Sequence, residues 1–258
     1  MSVQLPAALN TSQIVFSELK KVGKGGKTSY INYKNEKSGK TERLLIQIPK
    51  LFAPFGASTY KKEDQPAGAM LKYNVSLALD TKVKGVTDLV TFLNKLDKMV
   101  CKKALKSKDW KKQLDKGMDA EGLKYCYKPI IKASTNEKYP DSLNTKVPID
   151  WNKKQPALQL FSKSREKLDI TFDTIETLLP KLSELKGLIQ VCSVWFVSKK
   201  FGVTIKLLQG MVYPKEGLTG CALIDDDSDD EEEEEDSDEE ESDDEDEVEI
   251  EDSDDDEE

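Results

Sequence analysis

The chain has 258 residues and a formal net charge of -10, but that charge is divided between two opposed segments. Of the 34 residues from Asp225 to Glu258, 28 are Asp or Glu, and all 39 Lys and Arg precede them; residues 1–224 oppose those 39 with 21 carboxylates and carry +18. There is no histidine, which removes the usual general base and the commonest metal ligand.

The cysteines Cys101, Cys126, Cys192 and Cys221 show no C-x-x-C pairing. Thiolates at short spacing are what a zinc site needs, so reduced thiols and no metal or other cofactor are expected. Met1 to Asn10 contains no basic segment followed by an apolar run, and no stretch reaches the ~20 apolar residues of a membrane span. The expectation is an intracellular protein that is neither secreted nor membrane-bound.

In chain order, Ile14, Phe16 and Leu19 form an apolar run that Gly23-Lys24-Gly25-Gly26 breaks and Tyr30-Ile31-Asn32-Tyr33 resumes, the pattern of a hairpin closing at Lys34. Leu44 to Ile48 reads as a strand stopped by Pro49, which lacks a ladder N–H. Residues 53–68 read as a loop, and Met70 to Leu79 as a strand. A helix is predicted from an N-cap at Thr87 with Asp88 in its first turn. Its apolar stripe is Leu89, Phe92 or Leu93, Leu96, Met99 or Val100, and Ala104, with lysines opposite and beyond.

Strands are predicted at 125–132 and 157–161, separated by a polar segment containing Pro140 and Pro148, with a short helical connection over 175–185. The clearest hairpin pairs Leu188–Val197 with Phe201–Tyr213 across Ser198-Lys199-Lys200. Strands at both ends with one helix between them indicate a mainly β fold, an antiparallel barrel or sandwich. From Asp225 onward there is almost no apolar surface to offset ordering entropy, so a disordered acidic tail is expected.

Lys21 to Thr28 superficially resembles a phosphate loop. Lysine stands where the first glycine of that pattern belongs, and a strand-like run follows instead of a helix, so nucleotide hydrolysis is not supported. A nucleophilic serine or cysteine would need an activating base, and without histidine only carboxylates and lysines remain; the carboxylates form no recognisable motif, so no enzyme activity is expected. The positive charge instead comes interleaved with aromatic residues on strands. Single-strand binders track phosphates with a basic groove and stack bases on aromatic rings, and +18 on one domain exceeds what solubility requires.

Leu45-Ile46-Gln47-Ile48-Pro49, then Pro54-Phe55-Gly56 and the strand around Tyr73, resemble the single-stranded DNA-binding proteins of nucleocytoplasmic large DNA viruses. So do Val194-Trp195-Phe196 and Gly202-Val203-Thr204-Ile205-Lys206, and so does the acidic tail. The resemblance implies an OB-fold barrel with a basic groove, a tail that contacts replication enzymes, and, for a viral protein, location in the host cytoplasm, virus factory or nucleus.

The resulting expectation is an N-terminal extension (1–11), an OB-fold-like domain with an inserted helix (12–214), a linker (215–224) and the tail (225–258). The function expected is sequence-independent coating of single-stranded DNA in replication, recombination or repair. Stacking is assigned to Tyr33, Phe55, Tyr73 and Trp195, and phosphate contact to Lys34, Lys61, Lys72, Lys199, Lys200 and Lys206. The tail would compete for the groove and recruit replication proteins. Ser228, Ser237, Ser242 and Ser253, each three residues before an acid, suit acidophilic kinases. RNA is the alternative ligand, homo-oligomerisation is compatible, and an acidic-tailed histone or protein chaperone is the rival reading.

Overall fold

The β-branched and aromatic run near residue 190 forms the longest ladder in the molecule. A computed structural model describes residues 3–23, 25–35, 39–59 and 71–215. The chain divides into two units, Met1–Glu216 and Gly217–Glu258, of which the second lies outside the described residues.

The first unit runs β1 (Val3–Gln4), β2 (Ile14–Phe16), β3 (Lys20–Val22), β4 (Gly26–Lys34), β5 (Thr41–Ala53), β6 (Ala57–Thr59) and β7 (Tyr73–Ala78). Next come α1 (Val86–Lys106), α2 (Lys108–Lys111), α3 (Leu123–Cys126), β8 (Tyr127–Lys128), β9 (Ile131–Lys132) and β10 (Ser142–Lys146). Short strands β11 (Ile149–Asp150), β12 (Gln155–Pro156), β13 (Gln159–Phe161) and β14 (Lys167–Leu168) precede α4 (Ile175–Leu178), and the hairpin β15 (Ser183–Val197)–β16 (Lys200–Tyr213) closes the unit.

Fourteen of these strands form one sheet whose main path is β1-β5-β4-β15-β16-β10-β7-β6. Strand β15 pairs with β16 on one edge and with both β4 and β5 on the other, and β5 also packs on β7, so the sheet folds over on itself. The mainly β architecture with an inserted helix is as expected. A closed antiparallel barrel is not: among the described residues the path ends at β1 and β6 without a closing ladder. Strands β8, β10 and β13, all from the long segment between α1 and β15, also join β16 in parallel.

Several boundaries differ from expectation for physical reasons. Helix α1 starts two residues earlier, with Gly85 rather than Thr87 at its N-cap; Asp88 does occupy the first turn, and Val86, Leu89, Phe92, Leu93, Leu96, Val100 and Ala104 bury the apolar stripe. Strand β5 does not stop at Pro49. Ile48 faces Gly187 and Leu51 faces Leu185, so Pro49 and Lys50 together oppose Lys186; this bulge accommodates the missing N–H. The 125–132 segment is a helical turn followed by two short strands, and 175–185 is one helical turn that leads into β15.

The polar segment near residue 144 contains β10, whose Leu143 and Thr145 point inward; the Thr145 hydroxyl donates to the Val75 carbonyl at 3.0 Å. An aromatic chain ties α2 to the hairpin tip: Trp110 meets Phe16 edge-on at 5.4 Å and Phe196 at 5.1 Å, and Phe196 stacks on Phe201. The Lys103 ammonium lies over the Phe16 and Trp110 rings, where partial burial lowers its pKa.

Candidate nucleic-acid interface

Strand alternation divides β15 and β16 into two faces. Inward go Val191, Val194, Phe196, Phe201, Ile205 and Leu207; outward go Gln190, Trp195, Gly202, Thr204 and Lys206. Trp195 is half-buried and lies over Gly202, where an added Cβ would sit 2.9 Å from the indole and 3.0 Å from the Lys128 carbonyl. Glycine at 202 therefore lets the indole lie flat on the strand. Across β4, Ser193 pairs with Tyr30, whose exposed ring has the Lys20 ammonium 5.6 Å from its centroid.

Cations from three further strands converge beside these rings. Lys128 pairs alongside Gly202, and Lys146 alongside Lys206. Lys72 precedes inward-facing Tyr73 and so lies on the outward row next to Asn74, which pairs with Lys146. Burial and the positive charges of Lys128, Lys72 and Lys206 hold the Lys146 ammonium below the ordinary lysine range.

The bulged Cys192 sits in the same cluster. Its thiol is pushed up to about 11 by burial, although Lys206, Arg43 and Lys146 favour the thiolate, so it stays protonated at neutral pH. Further along the same outward rows, Gln47, Leu188 and Gln209 floor a cleft of about 500 Å³ walled by Lys163, Arg165 and Lys186. From Gly202 to Gln209 the basic face is roughly 23 Å long at the rise of a strand.

Asp97 on α1 positions the segment that carries Lys128. Its carboxylate accepts from the Tyr127 hydroxyl and from the Ile130 backbone N–H. Burial nevertheless raises its pKa to about 6, the two donated bonds only partly offsetting that effect. A raised acid pKa contributes stability that is complete below the unfolded value of 3.8 and is lost as pH rises through about 6. Relative to Asp97→Asn, the wild-type chain should therefore lose on the order of 1–3 kcal/mol of stability between about pH 4 and about pH 7. Denaturant unfolding of both proteins across that range checks the sign.

The residues expected from the sequence separate into distinct groups. Trp195, Lys72 and Lys206 come together in the cluster. Tyr33 and Tyr73 do not: they are only 5% and 4% exposed, and their hydroxyls are engaged, Tyr33 accepting from the Asn10 N–H and Tyr73 donating to the Phe172 carbonyl. Both rings belong to the core, where no base reaches them in this fold. Burial and the neighbouring carboxylates Glu176 and Asp173 also raise the pKa of Tyr73.

Lys34 is exposed at the end of β4, Lys200 is exposed at the start of β16, and Lys199 caps the hairpin tip by donating to the Leu114 carbonyl at 3.3 Å beside Asp115. Phe55 is exposed in the turn between β5 and β6. Lys61, residues 216–224 of the linker, the tail and Ser228, Ser237, Ser242 and Ser253 lie outside the described residues. Sequence reasoning missed Arg43, Lys128 and Lys146. The available signal was alternation: Lys146 follows Leu143 and Thr145 at the spacing of an outward position.

No family profile matches the chain, and no curated protein matches its sequence. Among solved structures it is similar to the single-stranded DNA-binding protein of bacteriophage Enc34 in complex with single-stranded DNA. That match has a TM-score of 0.41 and 12% identity, over 78% of this chain and 97% of that one. It is also similar to gp2.5, a single-stranded DNA-binding protein encoded by bacteriophage T7, with a TM-score of 0.43 and 12% identity, over 70% of this chain and 91% of that one.

Proposed function

We propose that the first unit binds single-stranded DNA without regard to sequence, through the outward face of β15, β16, β10 and β7, and catalyses nothing. The observation that carries this reading is the convergence of Lys72, Lys128 and Lys206 on Lys146, placed there by strand pairing, with no carboxylate among the described groups that shift Lys146. Like charges opposed across strands destabilise a sheet, so such a cluster finds its compensation in a bound polyanion. Phosphates satisfy the ammonium groups, and Trp195 and Tyr30 offer ring faces to bases that a duplex would keep stacked away. Lysines read charge, and ring faces accept any base, so sequence does not enter.

Coating of exposed strands during replication, recombination or repair follows as the role, with RNA as the competing ligand class. The tail, with 28 carboxylates in 34 residues, acts as a tethered polyanion that competes for the same lysines. Once DNA displaces it, the tail is free for replication proteins. A histone chaperone would present acid to a basic partner and has no use for four lysines gathered on one face.

The test is fluorescence anisotropy of labelled oligo-dT with the full chain and with a variant lacking residues 225–258, across a salt series. Both should bind, with log affinity falling by about 0.7 per phosphate contact per decade of salt. The variant should bind more tightly at low salt, and the gap should narrow as salt screens the tail. Absence of binding by either protein at low salt would overturn the proposal.

A further inference from the structure

A second cleft, of about 610 Å³, opens on the outward side of β7 and β10. Its walls are Phe52, Phe55, Tyr139 and Leu182, and Phe55 and Tyr139 are 60% and 67% exposed. Large apolar side chains standing this far into solvent in one place mark a contact surface. The floor is Ser76, Ala78 and Ser142, and among the described lining residues the one charged side chain is Lys132.

The floor connects the cleft to the lysine cluster. Strand β10 pairs with β7 as Lys146 with Asn74, Asn144 with Ser76, and Ser142 with Ala78. These are three successive outward pairs, the first inside the cluster and the last beneath the cleft. At the rise of a strand, four residues from Lys146 to Ser142 span about 13 Å. Between them lie only the small or neutral side chains of Asn144 and Ser76.

We propose that this cleft is a base-binding subsite, in which Phe55 and Tyr139 take unstacked bases of the same single strand whose phosphates lie on Lys146 and Lys206. The proposal rests on the single-strand reading above and extends it to a bipartite path with a polar gap in the middle. Continuity with the lysine row and the lack of any carboxylate among the described lining residues favour a nucleic-acid occupant over a peptide. Two exposed rings with Lys132 beside them match the pairing of stacking platform and phosphate contact that such strands need.

A bipartite path makes affinity depend on length. Full-length wild-type protein and Phe55→Ala/Tyr139→Ala are titrated with oligo-dT of about 4 and about 16 nucleotides, the two ends of the site-size range of single-strand binders. On the short strand the variant should match wild type, since the lysine cluster alone can hold it. On the long strand it should bind roughly a hundredfold more weakly, at about tenfold per lost stack. Phe55→Trp/Tyr139→Phe, which keeps the ring faces, should restore long-strand affinity.

Equal loss on both lengths, no loss on either, or no rescue by the aromatic variant overturns the subsite; unchanged DNA binding would assign the cleft to a protein partner. Absence of wild-type binding at either length instead removes the single-strand reading, and the subsite with it.

Discussion

Lys146→Glu is expected to weaken oligo-dT binding by about a hundredfold at low salt while raising the thermal midpoint. The two effects have one cause. Lys146 sits among Lys72, Lys128 and Lys206, and burial together with their charge already lowers its affinity for a proton. A carboxylate there turns three repulsions into attractions, each worth a few tenths of a kcal/mol to about 1 kcal/mol on a sheet surface. The same carboxylate removes one phosphate contact and repels the strand, and two lost ion contacts' worth of binding is about 3 kcal/mol, or roughly two decades in affinity. Opposite signs in stability and binding separate a functional cluster from a solvated one. If the variant binds oligo-dT as wild type does, Lys146 is ordinary surface and the interface lies elsewhere.

The second large effect concerns the turn that carries Phe55. Gly56 joins β5 to β6 with φ at +57°, and a Cβ there would fall 2.4 Å from the Leu179 carbonyl oxygen and 2.6 Å from the Pro180 carbonyl carbon and oxygen. The obstructing atoms are backbone, so no rotamer relieves them. The same Leu179 carbonyl accepts from the Ala57 N–H at 2.9 Å, and the Leu182 N–H donates back to Pro54. Displacing the turn therefore breaks these contacts as well. Gly56→Ala should cost about 3–5 kcal/mol, of which the left-handed conformation alone accounts for about 1–2 kcal/mol. Urea unfolding monitored by Trp fluorescence measures it; a loss below about 1 kcal/mol would mean the 179–182 segment moves aside freely.

Features whose causes are local were legible in the sequence. The opposed charges of residues 1–224 and 225–258 are a matter of counting. Helix α1 declares itself through apolar residues at three- and four-residue steps, and the β15–β16 hairpin through a long β-branched run on either side of a tight turn. The turn itself is tighter than expected: Val197 pairs with Lys200, and Ser198 and Lys199 both take positive φ. Trp195 and Lys206 lie on that hairpin and Lys72 beside β7, so all three are legible as candidates from the sequence.

What local pattern could not supply was parity and partnership. On β4, Tyr30 is exposed and Tyr33 is buried, an odd-numbered separation that places them on opposite faces of the sheet. Both are tyrosines next to strand residues, and only the pairing of Ser193 with Tyr30 shows which faces the site. Tyr73 follows the same rule, one residue from the outward Lys72.

Strand β10 has two inward side chains and a polar remainder, too little to stand out until β7, some 65 residues earlier, supplies its partner. The sequence by itself therefore determined that a basic, mainly β domain is joined to an acidic tail, because charge and periodicity are properties of neighbours in the chain. Only the tertiary structure decided which lysines and rings form one surface. Lys72, Lys128, Lys146 and Lys206 come from four separate segments, and pairing register between distant strands is set by burial of the opposite face.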